Sequence, residues 1–98
     1  MIRLAVLVCL MATPSLAADS KDVSCGYQAD VVAAIQKARL ARVAERNVPA
    51  AIAKTDPTWP ANYNNAIPHM TPWVYEMKRS VLRKEDLSAV WKELCLQQ

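Results

Sequence analysis

The side chains best suited to chemistry are those of the three cysteines, Cys9, Cys25 and Cys95. Redox-active cysteines usually lie close in sequence, as in Cys-x-x-Cys, with the first thiolate stabilised at a helix start. Cys25 and Cys95 are separated by most of the chain, so their spacing favours a structural disulfide over a redox couple. Cys9 falls in a predicted export signal, which leaves these two as the one intramolecular pair.

His69, Met70 and Met77 are of the residue types that bind copper. His69 is the only histidine, however, and no carboxylate stands at a ligand spacing from it. The pattern therefore favours a surface histidine and core-filling methionines. We expect no metal ion and no other cofactor.

The sequence shows none of the common catalytic motifs. It has no nucleophile elbow, no His-Glu-x-x-His zinc motif and no glycine-rich phosphate loop. We therefore do not expect an enzyme. A small enzyme or metal carrier is kept as a third hypothesis, because carboxylate pairs can assemble in space without a sequence signature.

The segment 59–75 is the most distinctive part of the chain, because it combines aromatic rings, asparagines and prolines. Such residues on a stiff backbone are typical of recognition surfaces, since rigid rings lose little entropy on binding. Tyr63 and Asn64 are the residues of the segment that we predict to be exposed and to contact a partner. The interpretation we favour is that apolar residues of the segment fill the core and the asparagines satisfy loose backbone ends; the core residues would be Trp59, Ile67, Trp73 and Val74. The predicted partner contacts are Trp59, Tyr63, Asn64, Asn65 and His69.

Basic residues form a second candidate surface. The first predicted helix carries Arg39, Arg42 and Arg46, and the pairs Lys78–Arg79 and Arg83–Lys84 follow later. If the two groups converge, they form a basic patch for an anionic partner; otherwise they are the solvated side of a helix.

The first 17 residues have the form of a secretory signal peptide. Arg3 supplies the positive charge, residues 4–12 are apolar, and Ser15 and Ala17 are the small residues before the cut. We predict cleavage after Ala17, with Ala18 as the alternative. The apolar run is too short to span a bilayer, so no stable membrane anchor is expected. The prediction is an exported protein, periplasmic or secreted, and the short signal favours a bacterial periplasm.

Residues 18–98 are then enough for one small domain. Of the 12 basic residues only Arg3 is removed with the signal, which leaves a mild excess over the 9 acidic ones and gives no argument for nucleic acid binding. A single glycine, no phenylalanine and no alternating strand pattern predict an all-α fold. At this size the core is thin, so a disulfide would add substantially to stability.

Proline positions and apolar periodicity predict a bundle of four to five helices closed by one disulfide. Ser24 is predicted to cap the first helix and Asn47 to end it, and Thr71 is predicted to cap a helix that starts at Pro72. Pro68 either ends a helix or kinks a longer one. Both cysteines border apolar faces, so the bridge should join the first helix to the last. The first half of the first helix carries two apolar rows, which predicts that this half is central and has neighbours on two sides. The rows are Cys25, Ala29 and Val32, and Tyr27, Val31, Ile35 and Ala38. The predicted helices are 25–46, 49–54, 60–67, 72–79 and 84–96.

The last helix is expected to bury a stripe formed by Leu87, Val90, Trp91 and Leu94.

The predicted export signal, the disulfide and the distinctive segment 59–75 favour a non-catalytic binding module of the exported compartment, an inhibitor or accessory subunit with a protein partner. The alternative is an acid-stress chaperone, because protonation of the carboxylates would leave a strongly cationic chain that could loosen. The sequence specifies neither the partner nor an oligomeric state.

Overall fold

The computed structural model describes residues 19–98, and within them the chain is all-α, as predicted. The predicted signal peptide, 1–17, lies outside the described residues. Short 3-10 helices at Glu45–Asn47 and Ala61–Ala66 lead into two of the α-helices. The α-helices are α1 (Lys21–Leu40), α2 (Val48–Ala53), α3 (Ile67–Tyr75), α4 (Arg79–Leu82) and α5 (Leu87–Leu96).

Helix α1 begins four residues before its predicted start. The Oγ of Ser20 accepts a hydrogen bond from the Val23 N–H at 3.2 Å and caps the helix. Ser24, the predicted cap, lies inside the helix and its Oγ accepts from the Gln28 side chain at 3.1 Å. Both serines are good caps by type, and Ser20 takes the role because it comes first, with Asp22 placed in the first turn.

Helix α1 also ends earlier than predicted, at Leu40 instead of Arg46. Arg42 has a left-handed backbone, with φ of 64°. Its N–H donates to the Arg39 carbonyl at 3.1 Å, and the Val43 N–H donates to the Ala38 carbonyl at 3.0 Å. These two bonds form a Schellman motif, which satisfies the last carbonyls of the helix and reverses the chain. The sequence did not indicate this end, because such turns usually carry glycine.

Helix α3 differs most from the prediction. Pro49 occupies the first turn of α2 as expected, but Pro72 lies inside α3, and Pro68 is the proline in its first turn. Thr71 is not a cap; it is buried, and its hydroxyl donates to the Ile67 carbonyl at 2.6 Å. The segment predicted as helix 60–67 is therefore a 3-10 helix that passes directly into α3, and α3 ends at Tyr75, four residues before the predicted end at 79.

Helix α5 is packed on one side only. Asp86 caps it by accepting from the Ala89 N–H at 3.2 Å, so the helix starts three residues later than predicted. Leu87 is buried and Trp91 is half-buried, but Val90 and Leu94 are 41% and 48% exposed. The predicted buried stripe is thus wrong for Val90 and Leu94, because α5 packs mainly on α1 and nothing in the described chain covers its outer side.

Helix α1 is the centre of the fold, since α2, α3, α4 and α5 all pack against it. The two apolar rows predicted for its first half are buried, except for Tyr27, which is half-buried. The predicted disulfide is present: Cys25 and Cys95 join α1 to the antiparallel α5, with Cα atoms 5.6 Å apart. The central core residues are Val31, Val32, Ile35, Val48, Ile52, Val74, Leu82 and Leu87.

Polar contacts fix the C-terminal helices against α1. The Nε2 of Gln36 donates to the Leu82 carbonyl at 2.7 Å and to the Glu85 carbonyl at 2.8 Å. Farther back along α1, the indole N–H of Trp91 donates to the Oε1 of Gln28 at 3.1 Å. The Trp91 ring also packs on Trp73, with centroids 5.6 Å apart, and so connects α5 to α3.

No helix among residues 19–98 combines the length and the apolar character that a membrane span requires. The disulfide between Cys25 and Cys95 is compatible with an oxidising compartment.

Candidate partner-binding surfaces

Tyr63 anchors the segment that follows Trp59. It is only 9% exposed, so the expectation of an exposed Tyr63 ring is wrong. Its hydroxyl donates to the Oδ2 of Asp19 at 2.6 Å, and its ring lies 5.1 Å from that of Tyr27. The bond to Asp19 raises the pKa of Tyr63, because deprotonation would break it. Tyr63 therefore holds the 3-10 helix onto the start of α1.

The asparagines of the same segment are exposed, as expected. We define the asparagine edge as Asn62, Asn64, Asn65 and His69, all of which face solvent. Trp59 is half-buried, and its indole N–H donates to the Oδ1 of Asn64 at 2.7 Å. The Asn64 side chain is thereby held in one orientation, with its Nδ2 group left to serve as a donor.

A shallow groove of about 320 Å³ runs beside this edge, between α2 and the start of α3. Ile52 and Ile67 are buried and form its floor. Three prolines supply most of its wall, and Asn64 stands on its rim. The residues that line it are Pro49, Ile52, Ala53, Pro57, Asn64, Ile67 and Pro68. An apolar floor with a carboxamide rim can accept one or two apolar side chains while it hydrogen-bonds their backbone.

Arg39 is held in place at the far end of α1. Its guanidinium lies over the Tyr75 ring, 5.2 Å from the centroid, and its Nη2 donates to the Met77 carbonyl at 3.3 Å. The Nε atom is buried and has no hydrogen-bond partner among the described residues. Arg39 thus has a fixed position and an unused donor.

Tyr75 is the platform for this guanidinium. Its hydroxyl donates to the Val43 carbonyl at 2.7 Å, just after the end of α1. Burial raises the pKa of Tyr75, Arg39 acts in the opposite direction, and Glu45 adds a smaller upward effect. The ring is therefore neutral at physiological pH and presents its face to Arg39.

The two predicted basic groups converge in part. Arg42 lowers the pKa of Arg79 more than any other group does, followed by partial desolvation and by Arg39 and Arg83. Arg79 and Arg83 lie one helical turn apart at α4. Arg46 belongs to the 3-10 helix Glu45–Asn47 and is not among the charges that act on Arg79. We define the arginine cluster as Arg39, Arg42, Arg79 and Arg83.

The residues considered for copper do not share a surface. His69 is exposed, Met70 is buried and Met77 is half-buried. Within residues 19–98, no group of three or more His, Cys, Asp or Glu side chains is placed to hold a metal ion.

Sequence reasoning missed several residues that build these surfaces. Asp19, which holds Tyr63, stands before the predicted start of the domain's first helix, and no role was predicted for Gln36. Tyr75 was seen only as an aromatic of a distinctive segment. A polar residue on an otherwise apolar helix face is the one signal that could have identified Gln36, because such residues are usually hydrogen-bonded when covered.

No protein-family model matches this chain, and no curated protein or solved structure is significantly similar to it. The function must therefore be argued from the surfaces themselves.

Proposed function

We propose that this chain is a non-catalytic protein-binding module of the exported compartment, and that it binds a segment of a partner protein at the asparagine edge and the adjoining groove. The observation that carries the proposal is the groove of about 320 Å³ between α2 and α3, whose rim includes the oriented carboxamide of Asn64.

The chemistry of the surface suits a protein segment. Carboxamides both donate and accept hydrogen bonds, so Asn62, Asn64 and Asn65 match the alternating N–H and C=O groups of an extended backbone. The apolar floor formed by Ile52 and Ile67 suits a side chain of the same segment. Hydrogen bonds alone add little net affinity in water, so the apolar floor is needed for a stable complex.

The surface is also rigid before any partner arrives. The hydrogen bond between Trp59 and Asn64 orients one carboxamide. The hydrogen bond between Tyr63 and Asp19 fixes the 3-10 helix to α1, and the disulfide joins α1 to α5. Preorganisation of this kind reduces the entropy lost on binding. The predicted signal peptide and the disulfide support a periplasmic location, where the partner would be found.

The test is quantitative affinity capture from a periplasmic extract with the immobilised, oxidised protein. The double variant Asn65→Ala/His69→Ala removes two exposed side chains of the edge and leaves the Trp59–Asn64 bond intact. We expect partner recovery to fall by at least about tenfold, as for hot-spot residues of protein interfaces. The thermal midpoint of the protein should not change.

Gln97→Ala is the matched control, because it removes an exposed carboxamide at the end of α5. Equal recovery of every captured protein by wild type, variant and control would contradict the proposal. Reversible binding of an apolar dye near pH 3, with retained helical circular dichroism and capture of many unfolded proteins, would favour the acid-stress chaperone instead.

A further inference from the structure

The arginine cluster concentrates positive charge where α1 ends and α4 begins. The bond from Arg39 to the Met77 carbonyl, at 3.3 Å, brings the end of α1 against the segment just before α4. Arg79 and Arg83 extend from that segment on one helical face. Arg42 follows Arg39 by three residues, in the turn that closes α1.

This arrangement is unfavourable without a ligand. Like charges repel, and the strongest influences on Arg79 from charged groups all come from other arginines. Glu45 lies close enough to influence Tyr75, but it is not among the groups that act on Arg79. An anion bound among the guanidinium groups would relieve this repulsion between positive charges.

The number of donors indicates the kind of anion. Each guanidinium presents donors in a planar fork that fits carboxylate or phosphate oxygens in pairs. A carboxylate has only one negative charge and two acceptor oxygens, which match a cluster of four positive charges poorly. A phosphate monoester has three acceptor oxygens and a charge of about −1.5 to −2 at pH 7.

We propose that the arginine cluster is a binding site for a phosphate group, either free inorganic phosphate or a phosphate monoester. This site is separate from the asparagine edge and does not depend on the proposed function. The phosphate could belong to a small soluble molecule or to a lipid headgroup, and the experiment distinguishes these sources.

The experiment is a titration of the full oxidised domain with inorganic phosphate at constant ionic strength, followed by nuclear magnetic resonance or calorimetry. The wild type should saturate, and Arg79→Gln should raise the dissociation constant about tenfold, because it removes a charge-assisted contact. Arg42→Gly should weaken binding similarly while it raises the thermal midpoint, because glycine relieves the left-handed backbone. A general loss of folding cannot produce that combination.

Lys92→Gln is the control, since it removes one positive charge from α5 beside the first half of α1, about 20 Å along α1 from the cluster. Unchanged phosphate binding in Arg79→Gln and Arg42→Gly, or an equal loss in Lys92→Gln, would overturn the proposal.

A second experiment distinguishes a lipid headgroup from a soluble phosphate, and it measures binding of the protein to phosphatidylcholine vesicles that contain phosphatidic acid. Vesicle binding that free phosphate displaces assigns the site to a headgroup, and binding of free phosphate alone assigns it to a soluble ligand. Absence of both overturns it.

Discussion

At the scale of single residues, Gln36 illustrates how one polar side chain can join distant parts of a small core. Its Nε2 reaches the Leu82 and Glu85 carbonyls at 2.7 and 2.8 Å. These carbonyls belong to the end of α4 and the connection to α5, which otherwise have few ties to α1. A single carboxamide therefore holds the start of α5 in register with α1.

Gln36→Glu should test this role with almost no change in volume. The substitution replaces a donor by a carboxylate that faces two carbonyl oxygens, so we expect a loss of about 2 kcal/mol in the free energy of unfolding at pH 7. Urea denaturation measures it. Gln97→Glu, at an exposed position, should change stability little; a similar loss there would show that the added charge is responsible.

Asp86 makes the free energy of unfolding depend on pH. Its carboxylate accepts from the Ser88 hydroxyl at 2.7 Å and from the Ala89 N–H at 3.2 Å, and the pKa of Asp86 is lowered, first by the bond to Ser88. A lowered folded pKa means that the stabilisation is fully present above the unfolded pKa, about 3.9, and is lost as pH falls through the folded value.

Asp86→Ala should therefore lower the thermal midpoint by several degrees at pH 7, and the difference from wild type should shrink below about pH 3. Thermal melts followed by circular dichroism between pH 2 and 7 measure this. Glu85→Ala removes a neighbouring carboxylate that does not cap α5. A difference that is constant across this pH range would contradict the capping role.

At the scale of elements, the helices were easier to predict than their ends. The two apolar rows in the first half of α1 identified it as the central helix, because burial on two sides leaves a clear pattern. Its end at Leu40 depends on the left-handed backbone of Arg42. The turn contains no glycine or asparagine that would have indicated this conformation. Likewise, Pro72 lies inside α3, although the local rule for proline places it at the start of a helix.

Arg42→Gly should stabilise the protein by about 0.5–1 kcal/mol, because glycine adopts the left-handed backbone without a steric cost. Ala41→Gly is the matched control: its φ is −79°, so glycine there gains nothing and should destabilise. Chemical denaturation of both variants in phosphate-free buffer gives the comparison. Equal effects at the two positions would mean that the backbone of Arg42 does not determine stability.

At the scale of the whole molecule, part of the candidate site followed from sequence and part did not. The exposed asparagines and His69 were expected from their polarity. The groove beside them was not, since it needs α2 and α3 in contact, and neither helix pattern specifies that neighbour. Tyr63 was assigned to the surface, but its partner Asp19 lies 44 residues away in sequence, beyond any local pattern.

The disulfide should contribute much of the global stability. Closing a loop with a sequence separation of 70 should correspond to about 4–5 kcal/mol of denatured-state entropy. Cys25→Ala/Cys95→Ala should lose a comparable amount in urea denaturation, and reduction of the wild type should give the same loss. Reductant should not affect the double variant; a further loss there would mean that it acts on something besides this bridge.

The bridge between Cys25 and Cys95 also makes nearly all of the folded domain a covalent ring. The turn at 54–60, where Asp56 has φ of 49°, lies within that ring. A protease that cut one peptide bond there would open the ring without dividing the molecule, because both pieces would stay attached through the sulfur atoms. Groups on either side of the cut, the asparagine edge among them, would remain at high effective concentration. Wherever proteases are present, a single cut in this turn would therefore leave the domain in one covalently joined piece.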